Sequence, residues 1–319
     1  MSSFPVGEIW HRLAPGVLKA YYHYLQVPGM ISLGGGLPMA STFPFHKFLL
    51  TTNHGEELAF SSSEEEKGGS CSSVLSYPLH LQYTRGTGTP DIAQLLNEHT
   101  LDMHGNERTT SILTAGSTDA AFKVLTLLSA EPKVILTDNF TYSGFISQAR
   151  TLDFNLEPVV GDDYGMLPEA LASRVDEITA IKGSPPRLIY LIPTGQNPQG
   201  FTMSQERRDE IYSVCKEKDL IIIEDDAYFY LHLGEDGTPL PGLKGLPRSF
   251  LARDVDGRVI RLDSFSKSFC PGSRMGWLTA SPDFVEKYQL LAEANTQGAS
   301  GFSQTFLFGL LDSWKQGKN

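Results

Sequence analysis

Cysteine is scarce. Cys71, Cys215 and Cys270 are odd in number and far apart in 319 residues, which excludes a disulfide framework and offers no metal-ligand spacing. A reducing compartment and no bound metal are expected. Positive charge is in deficit as well. Lys and Arg number 26 against 37 Asp and Glu, the formal net charge is −11, and no Lys/Arg cluster interrupts that excess. Such a balance argues against a nucleic-acid surface. No apolar run approaches membrane-spanning length, and residues 1–8 lack the basic-then-apolar order of a secretory signal. A cytoplasmic protein with neither membrane nor nucleic-acid partners is expected.

What is present describes an ordinary globular chain, with 40% hydrophobic and 20% charged residues and length for one large α/β domain with attachments. Trp10, Leu13, Val17, Leu18 and Tyr21 are spaced for one helical face and read as an N-terminal arm. Residues 61–73, rich in Ser, Glu and Gly, have nothing to bury and read as a mobile surface loop. His99 and His104 are five apart, not on one helical face, so neither is read as a metal ligand.

From residue 110 onward, near-continuous apolar segments alternate with helical patterns. Lys133–Thr137, Leu188–Ile192, Leu220–Glu224 and Val259–Asp263 are the clearest strands. This alternation predicts a mostly parallel sheet covered on both faces, a three-layer α/β/α fold. In such sheets ligands bind beyond the carboxyl ends of the strands, and Ser117, Asn197, Asp225 and Lys267 each follow an apolar run. The most informative stretch is 264–277. Lys267 sits in a turn among Ser264, Ser266 and Ser268, with Arg274 beyond Pro271-Gly272. An amine that can attack a carbonyl, next to hydroxyls and a guanidinium that suit a phosphate, reads either as a site for one ligand carrying aldehyde and phosphate, pyridoxal phosphate, or as a polar surface turn after a strand. Gly116-Ser117-Thr118 at a helix start offers a second anion-binding element, or a plain N-cap.

Seven phrases then occur in order: Ile31-Ser-Leu-Gly-Gly-Gly-Leu-Pro38, Leu81-Gln-Tyr-Thr84, Thr114-Ala-Gly-Ser117, Thr141-Tyr-Ser-Gly144, Gln196-Asn-Pro-Gln-Gly200, Glu224-Asp-Asp-Ala-Tyr228 and Ser264-Phe-Ser-Lys267. Through them the chain resembles the fold-type-I pyridoxal-phosphate aminotransferases. The branch it is most similar to handles aromatic amino acids, 2-aminoadipate and kynurenine. The resemblance implies ping-pong transfer of an amino group from an aromatic or 2-aminoadipate-like amino acid to a 2-oxo acid such as 2-oxoglutarate, in a homodimer. It makes Lys267 the lysine that holds the cofactor, Asp225 the carboxylate facing the pyridine nitrogen, and Tyr228 and Asn197 the donors to the 3′-oxygen. Tyr142 would stack on the ring, while Ser117, Thr118, Ser264 and Arg274 would cup the phosphate. Tyr83 would reach a neighbouring subunit's phosphate, and Gly36 and Lys19 would lie beside the substrate.

The resemblance also sets boundaries. Residues 1–45 correspond to an N-terminal arm and substrate-side segment, 46–319 to the large cofactor domain, and 282–319 to the start of an interdomain helical region. Most of the family's C-terminal small domain, with its substrate-gripping arginine, has no counterpart here. Phe302, Phe306 and Phe308 are therefore expected to be exposed. The alternatives are a catalytically impaired cofactor-binding homologue and another pyridoxal-phosphate reaction, a lyase or a decarboxylase.

Overall fold

Apolar strands that would expose both faces to water need a layer on each side, and the chain supplies both. The structure, a computed structural model, describes residues 3–17, 24, 27–31, 36–55, 57–61, 74–76, 78–233, 238 and 245–315. Three short strands, β1 (Lys47–Thr51), β2 (Glu57–Ser61) and β3 (Val74–Ser76), form a small sheet with β1 antiparallel and β3 parallel to β2. The main sheet begins with β4 (Thr110–Thr114), β5 (Val134–Asp138) and β6 (Asn155–Val159). After the two-residue pair β7 (Gly161–Asp162) and β8 (Gly165–Met166) it continues with β9 (Leu188–Leu191), β10 (Ile221–Asp225), β11 (Val259–Ser264) and β12 (Gly276–Ala280). Its spatial order is β4-β12-β11-β10-β9-β5-β6. β12 alone runs antiparallel to its neighbours β11 and β4.

Alternate residues of each strand serve opposite layers. On one face Tyr190, Ile221, Ile223, Ile260 and Leu262 pack against helices Ser117–Leu127, Ser143–Thr151 and Pro282–Ala294. On the other, Leu136, Ile189, Leu191, Ile222 and Val259 pack against helices Pro168–Lys182 and Gln205–Glu217. Each fully buried Leu or Ile contributes about 1.5–3 kcal/mol of transfer free energy, so these two layers hold the strand ends rigid. The exposed ladder of edge strand β4 is partly closed by Asn97, whose amide donates to the Ser111 carbonyl (2.9 Å) and accepts from its N–H (2.9 Å).

Several expectations need correction. Ser61 is a fully buried member of β2 and not part of a surface loop, because β2 pairs with β3 through Ala59–Val74, Phe60–Leu75 and Ser61–Ser76; residues 62–73 lie outside the described residues. Neither the small sheet nor the reversed strand β12 was anticipated. The N-terminal helix spans only Glu8–Arg12, and Leu18, Lys19 and Tyr21 lie outside the described residues. Trp10 packs on Phe284 with ring centroids 5.8 Å apart. Of the three phenylalanines expected to be exposed, Phe306 and Phe308 are partly buried against the small sheet and the β4–β12 region. Phe302 stays 42% exposed but meets Phe45 and Phe48 edge-on. The cause is the helix Gly301–Lys315, which uses its aromatic face to cover β2. His99 and His104 are structural, bonded to the Tyr230 hydroxyl (2.8 Å) and the Ser249 hydroxyl (2.9 Å).

Candidate active site

The carboxyl ends of β4, β9, β10 and β11 open on a cavity of about 250 Å³. Because β12 runs the other way, its first residue lies at the same edge, and Arg274, two residues earlier, is delivered there as well. Ser117, Thr118, Tyr142, Asn197, Asp225, Tyr228, Ser264, Lys267 and Arg274 all line this cavity, joined by Ile192, Ala227, Ser266 and Pro271. Of the remaining expected residues, Tyr83 is 63% exposed and Gly36 is exposed; neither lines the cavity. The Gln82 amide donates to the Pro38 carbonyl (2.8 Å), which ties their two segments together. Lys19 lies outside the described residues.

At one end of the cavity the backbone is shaped for an anion. Helix Ser117–Leu127 starts at Gly116, whose φ of 96° and ψ of 155° only glycine adopts without strain. A Cβ there would stand 2.8 Å from Arg274 Nη2, so the absent side chain lets the guanidinium lie against the helix start. Arg274 itself is in the left-handed region, with φ 50°, and donates to the Pro271 carbonyl (3.1 Å) and more distantly to Ser266 Oγ (3.5 Å). First-turn N–H groups, the Ser117 and Thr118 hydroxyls and the Arg274 guanidinium are donors of the kind that suit an anion. Lys267 is exposed to the cavity, with Nζ 5.9 Å from the Tyr228 ring centroid. Tyr142 precedes its helix, and its ring occupies the space a Cβ on Gly144 would need, 2.5 Å away.

Asp225 lines the same cavity. Tyr190 Oη donates to its Oδ2 (2.6 Å), while its Oδ1 is sealed from water and has no partner among the described residues. Burial pushes this carboxyl up to about 6, against the lowering effect of the Tyr190 hydrogen bond. An unpaired acceptor on a residue that lines the cavity fits a ligand that brings its own N–H. Asp226 turns to the other face, where Arg261 donates to it (3.0 Å). The loop carrying Asn197 is held by buried Arg208, which donates to the Pro193 carbonyl (3.0 Å) and Thr194 Oγ1 (3.1 Å). The Gln196 amide also donates to the Phe140 carbonyl (2.6 Å). Asp138, at the end of β5, is pushed up to about 7 by burial, offset in part by the Met166 N–H and the Gln196 side chain.

Tyr190, Arg208 and Arg261 escaped the sequence reading. Tyr190 and Arg261 were signalled only by a hydroxyl or guanidinium inside an otherwise apolar run, Leu188-Ile-Tyr-Leu-Ile192 and Val259-Ile-Arg-Leu-Asp263, and Arg208, inside the charged stretch Gln205-Glu-Arg-Arg-Asp-Glu210, carried no such signal. Anion donors, amine and unpaired carboxylate oxygen are compatible with pyridoxal phosphate. Among the described residues no helix is long and apolar enough to cross a membrane.

Comparison with known proteins gives a consistent picture. The family model described as aminotransferase class I and II matches residues 80–317. An aromatic amino acid aminotransferase of Schizosaccharomyces pombe is 37% identical over 309 residues, covering 90% of this chain and 65% of that protein. An L-tyrosine:2-oxoglutarate aminotransferase of Tapinella panuoides is 35% identical over 323 residues, covering 93% of this chain and 60% of its own length. The crystal structure of the aminotransferase Aro8 from Candida albicans superposes with a TM-score of 0.87 at 31% identity, over 97% of this chain and 70% of that one. The chain thus spans 60 to 65% of the length of these two curated relatives.

Proposed function

The chain belongs to the class I and II aminotransferases, and from that premise we propose that its cavity holds pyridoxal 5′-phosphate. The reaction is transfer of the amino group of an aromatic, or 2-aminoadipate-like, amino acid to a 2-oxo acid such as 2-oxoglutarate. The observation that carries this reading is the convergence of Lys267, the unpaired Asp225 oxygen and the Ser117, Thr118 and Arg274 donors in one cavity at the strand ends.

When bound, the cofactor supplies an electron sink for the pair left behind at the substrate Cα. Lys267 would hold the cofactor covalently through Nζ. Once displaced by the substrate amine, the same nitrogen would take and return the Cα proton. Asp225 Oδ1 would accept from the pyridine nitrogen and keep it protonated. Tyr228 and Asn197 would donate to the 3′-oxygen, and Tyr142 would stack on the ring, worth about 0.5–1.5 kcal/mol beyond its burial. Ser117, Thr118, Ser264 and Arg274 would hold the phosphate. Exposed Tyr83 suits a role at the phosphate of a second copy in a homodimer, with Gly36 and Lys19 on the substrate side. A division into residues 1–45 as arm and 46–319 as cofactor domain, and a cytoplasmic location, complete the reading.

The test begins with purified protein and pyridoxal 5′-phosphate. Borohydride reduction followed by peptide mapping should place the pyridoxyl group on Lys267, and Lys267→Ala should abolish trapping. Adding phenylalanine or tyrosine should then convert the cofactor absorbance to that of the pyridoxamine form and release the aromatic 2-oxo acid. Trapping on another lysine, or release of carbon dioxide or ammonia in place of the oxo acid, refutes the proposal.

A further inference from the structure

Three carboxylates follow one another at the end of β10, yet only the middle one faces the cavity. Ile223 of β10 stands directly opposite Tyr190 of β9 in the parallel ladder. Asp225, two residues beyond Ile223, shares that face, so Tyr190 reaches it along the diagonal. Tyr190 is fully buried, and Phe145 lies against its ring, nearly parallel at 7° with centroids 3.5 Å apart. Two layers of packing therefore aim one hydroxyl at one carboxylate oxygen. A carboxylate at the cavity wall has rotational freedom about χ2 that no backbone contact removes. A single 2.6 Å bond to Oδ2 removes it and leaves Oδ1 as the unpaired acceptor.

We propose that Tyr190 is a positioning residue for the cofactor: its hydroxyl, pinned by Phe145, holds the Asp225 carboxylate in one orientation and in its ionised form, so that Oδ1 is presented to the pyridine nitrogen. This rests on the cofactor reading above. The electrostatic setting is consistent with it. Burial and Asp226 favour the neutral acid at Asp225, while Tyr190 and Arg261 of β11 favour the carboxylate. The cavity also brings Tyr142, Tyr228, Lys267 and Arg274 to the same space. Tyr190, sealed in the core and next to a carboxylate, has its own ionisation pushed far up, so it serves as a donor throughout the working pH range.

The test is a double-mutant comparison read through pH. Pyridoxal 5′-phosphate affinity is measured by absorbance titration from pH 5.5 to 8.5 for the wild-type chain, Tyr190→Phe, Asp225→Asn and the double variant. Tyr190→Phe keeps the ring and the Phe145 stack and removes only the donor. Its acid-side loss of affinity should set in about one pH unit higher than in the wild type, a tenfold change in the proton affinity of one group. On the Asp225→Asn background, removal of the hydroxyl should change nothing further. An unshifted profile in Tyr190→Phe overturns the proposal. So does a loss that is equal at every pH and as large on the Asp225→Asn background, which would make Tyr190 a packing residue. If borohydride traps no cofactor on wild-type Lys267, the cofactor reading itself fails and this inference with it; trapping with an unshifted profile defeats the inference alone.

Discussion

Glu224, Asp225 and Asp226 are chemically alike and adjacent, and the two sides of the sheet end use them in opposite ways. On one side Glu224, Asp226 and Asp263 surround Arg261 at 3.1, 3.0 and 2.8 Å, all buried, with the guanidinium 4.6 Å from the centre of the Phe229 ring. Glu224 also accepts the Phe250 and Leu251 N–H groups (2.8 and 3.1 Å). Here the carboxylates share one guanidinium, although Asp226 Oδ1, like Asp225 Oδ1, has no partner among the described residues, and the product is a tie between β10, β11 and the 249–254 turn. On the other side Asp225 has one donor, Tyr190, and one oxygen left unpaired. The difference teaches how to separate a structural carboxylate from a chemical one. Burial raises both kinds, Asp263 to about 7 and Asp225 to about 6, so a displaced pKa does not distinguish them. What distinguishes them is whether an arginine or a cavity faces the group.

The largest expected effect breaks the cavity side. On the proposed reading, Asp225→Ala would remove the acceptor for the pyridine nitrogen and should slow the half-reaction with phenylalanine by several orders of magnitude, while Lys267 should still trap cofactor. Asp226→Ala should leave the single-turnover rate within about tenfold and act on stability, because its partner is Arg261. Stopped-flow absorbance on both variants decides the matter, and a milder loss in Asp225→Ala than in Asp226→Ala would reverse the assignment.

The second prediction breaks the opposite side. Arg261→Met leaves three buried carboxylates without their cation, a change that costs roughly 3–5 kcal/mol. Urea unfolding should show that loss, shrinking as the pH falls through the range where Glu224 and Asp263, both raised by burial, take up protons. Unchanged stability at neutral pH would mean that Arg261 is dispensable and that the aromatic packing of Phe229 carries this region.

This contrast also marks what was legible in the sequence. Asp225 and Lys267 could be picked out because each ends an apolar run, and a parallel sheet collects the ends of such runs at one edge. Strand alternation said only that Asp225 and Asp226 would not both face one ligand; the preference for Asp225 came from the family resemblance, in which Tyr228 follows three residues on. Tyr190 could not be found that way, because its bond to Asp225 depends on the register of β9 against β10, which periodicity does not contain. The same limit hid the small sheet. β2 finds its parallel partner β3 across residues 62–73, a pairing between distant segments that neither segment announces locally. β12 was overlooked for a different reason. Gly276–Ala280 directly follows the lysine turn and was absorbed into that motif, although its antiparallel course is what returns Arg274 to the cavity.

The smallest of the three expected effects sharpens the comparison, because it asks whether the cavity-side carboxylate is held at a cost to the fold. In the cofactor-free protein Asp225 is raised to about 6 from an ordinary value of 3.8. Below pH 4 the group is protonated in both folded and unfolded chains and contributes no difference. Between about pH 4 and 6 the unfolded chain gives up its proton while the folded one retains it, so stability falls as pH rises. Above pH 6 the full cost persists, at most about 3 kcal/mol for a shift of this size at 1.36 kcal/mol per unit. Asp225→Asn keeps an acceptor for Tyr190 and does not titrate. Its stability relative to wild type should therefore climb between about pH 4 and 6 and level off above pH 6. Urea unfolding of both proteins across pH 4–8 measures that difference, and the slope matters more than the offset, since the new amide brings its own unpaired N–H. With pyridoxal 5′-phosphate bound, the unpaired oxygen gains its partner and the advantage of Asn should shrink or reverse. A difference between the two proteins that stays flat from pH 4 to 8 would show that Asp225 ionises at no cost, and the distinction between the two sides of the sheet end would then rest on geometry alone.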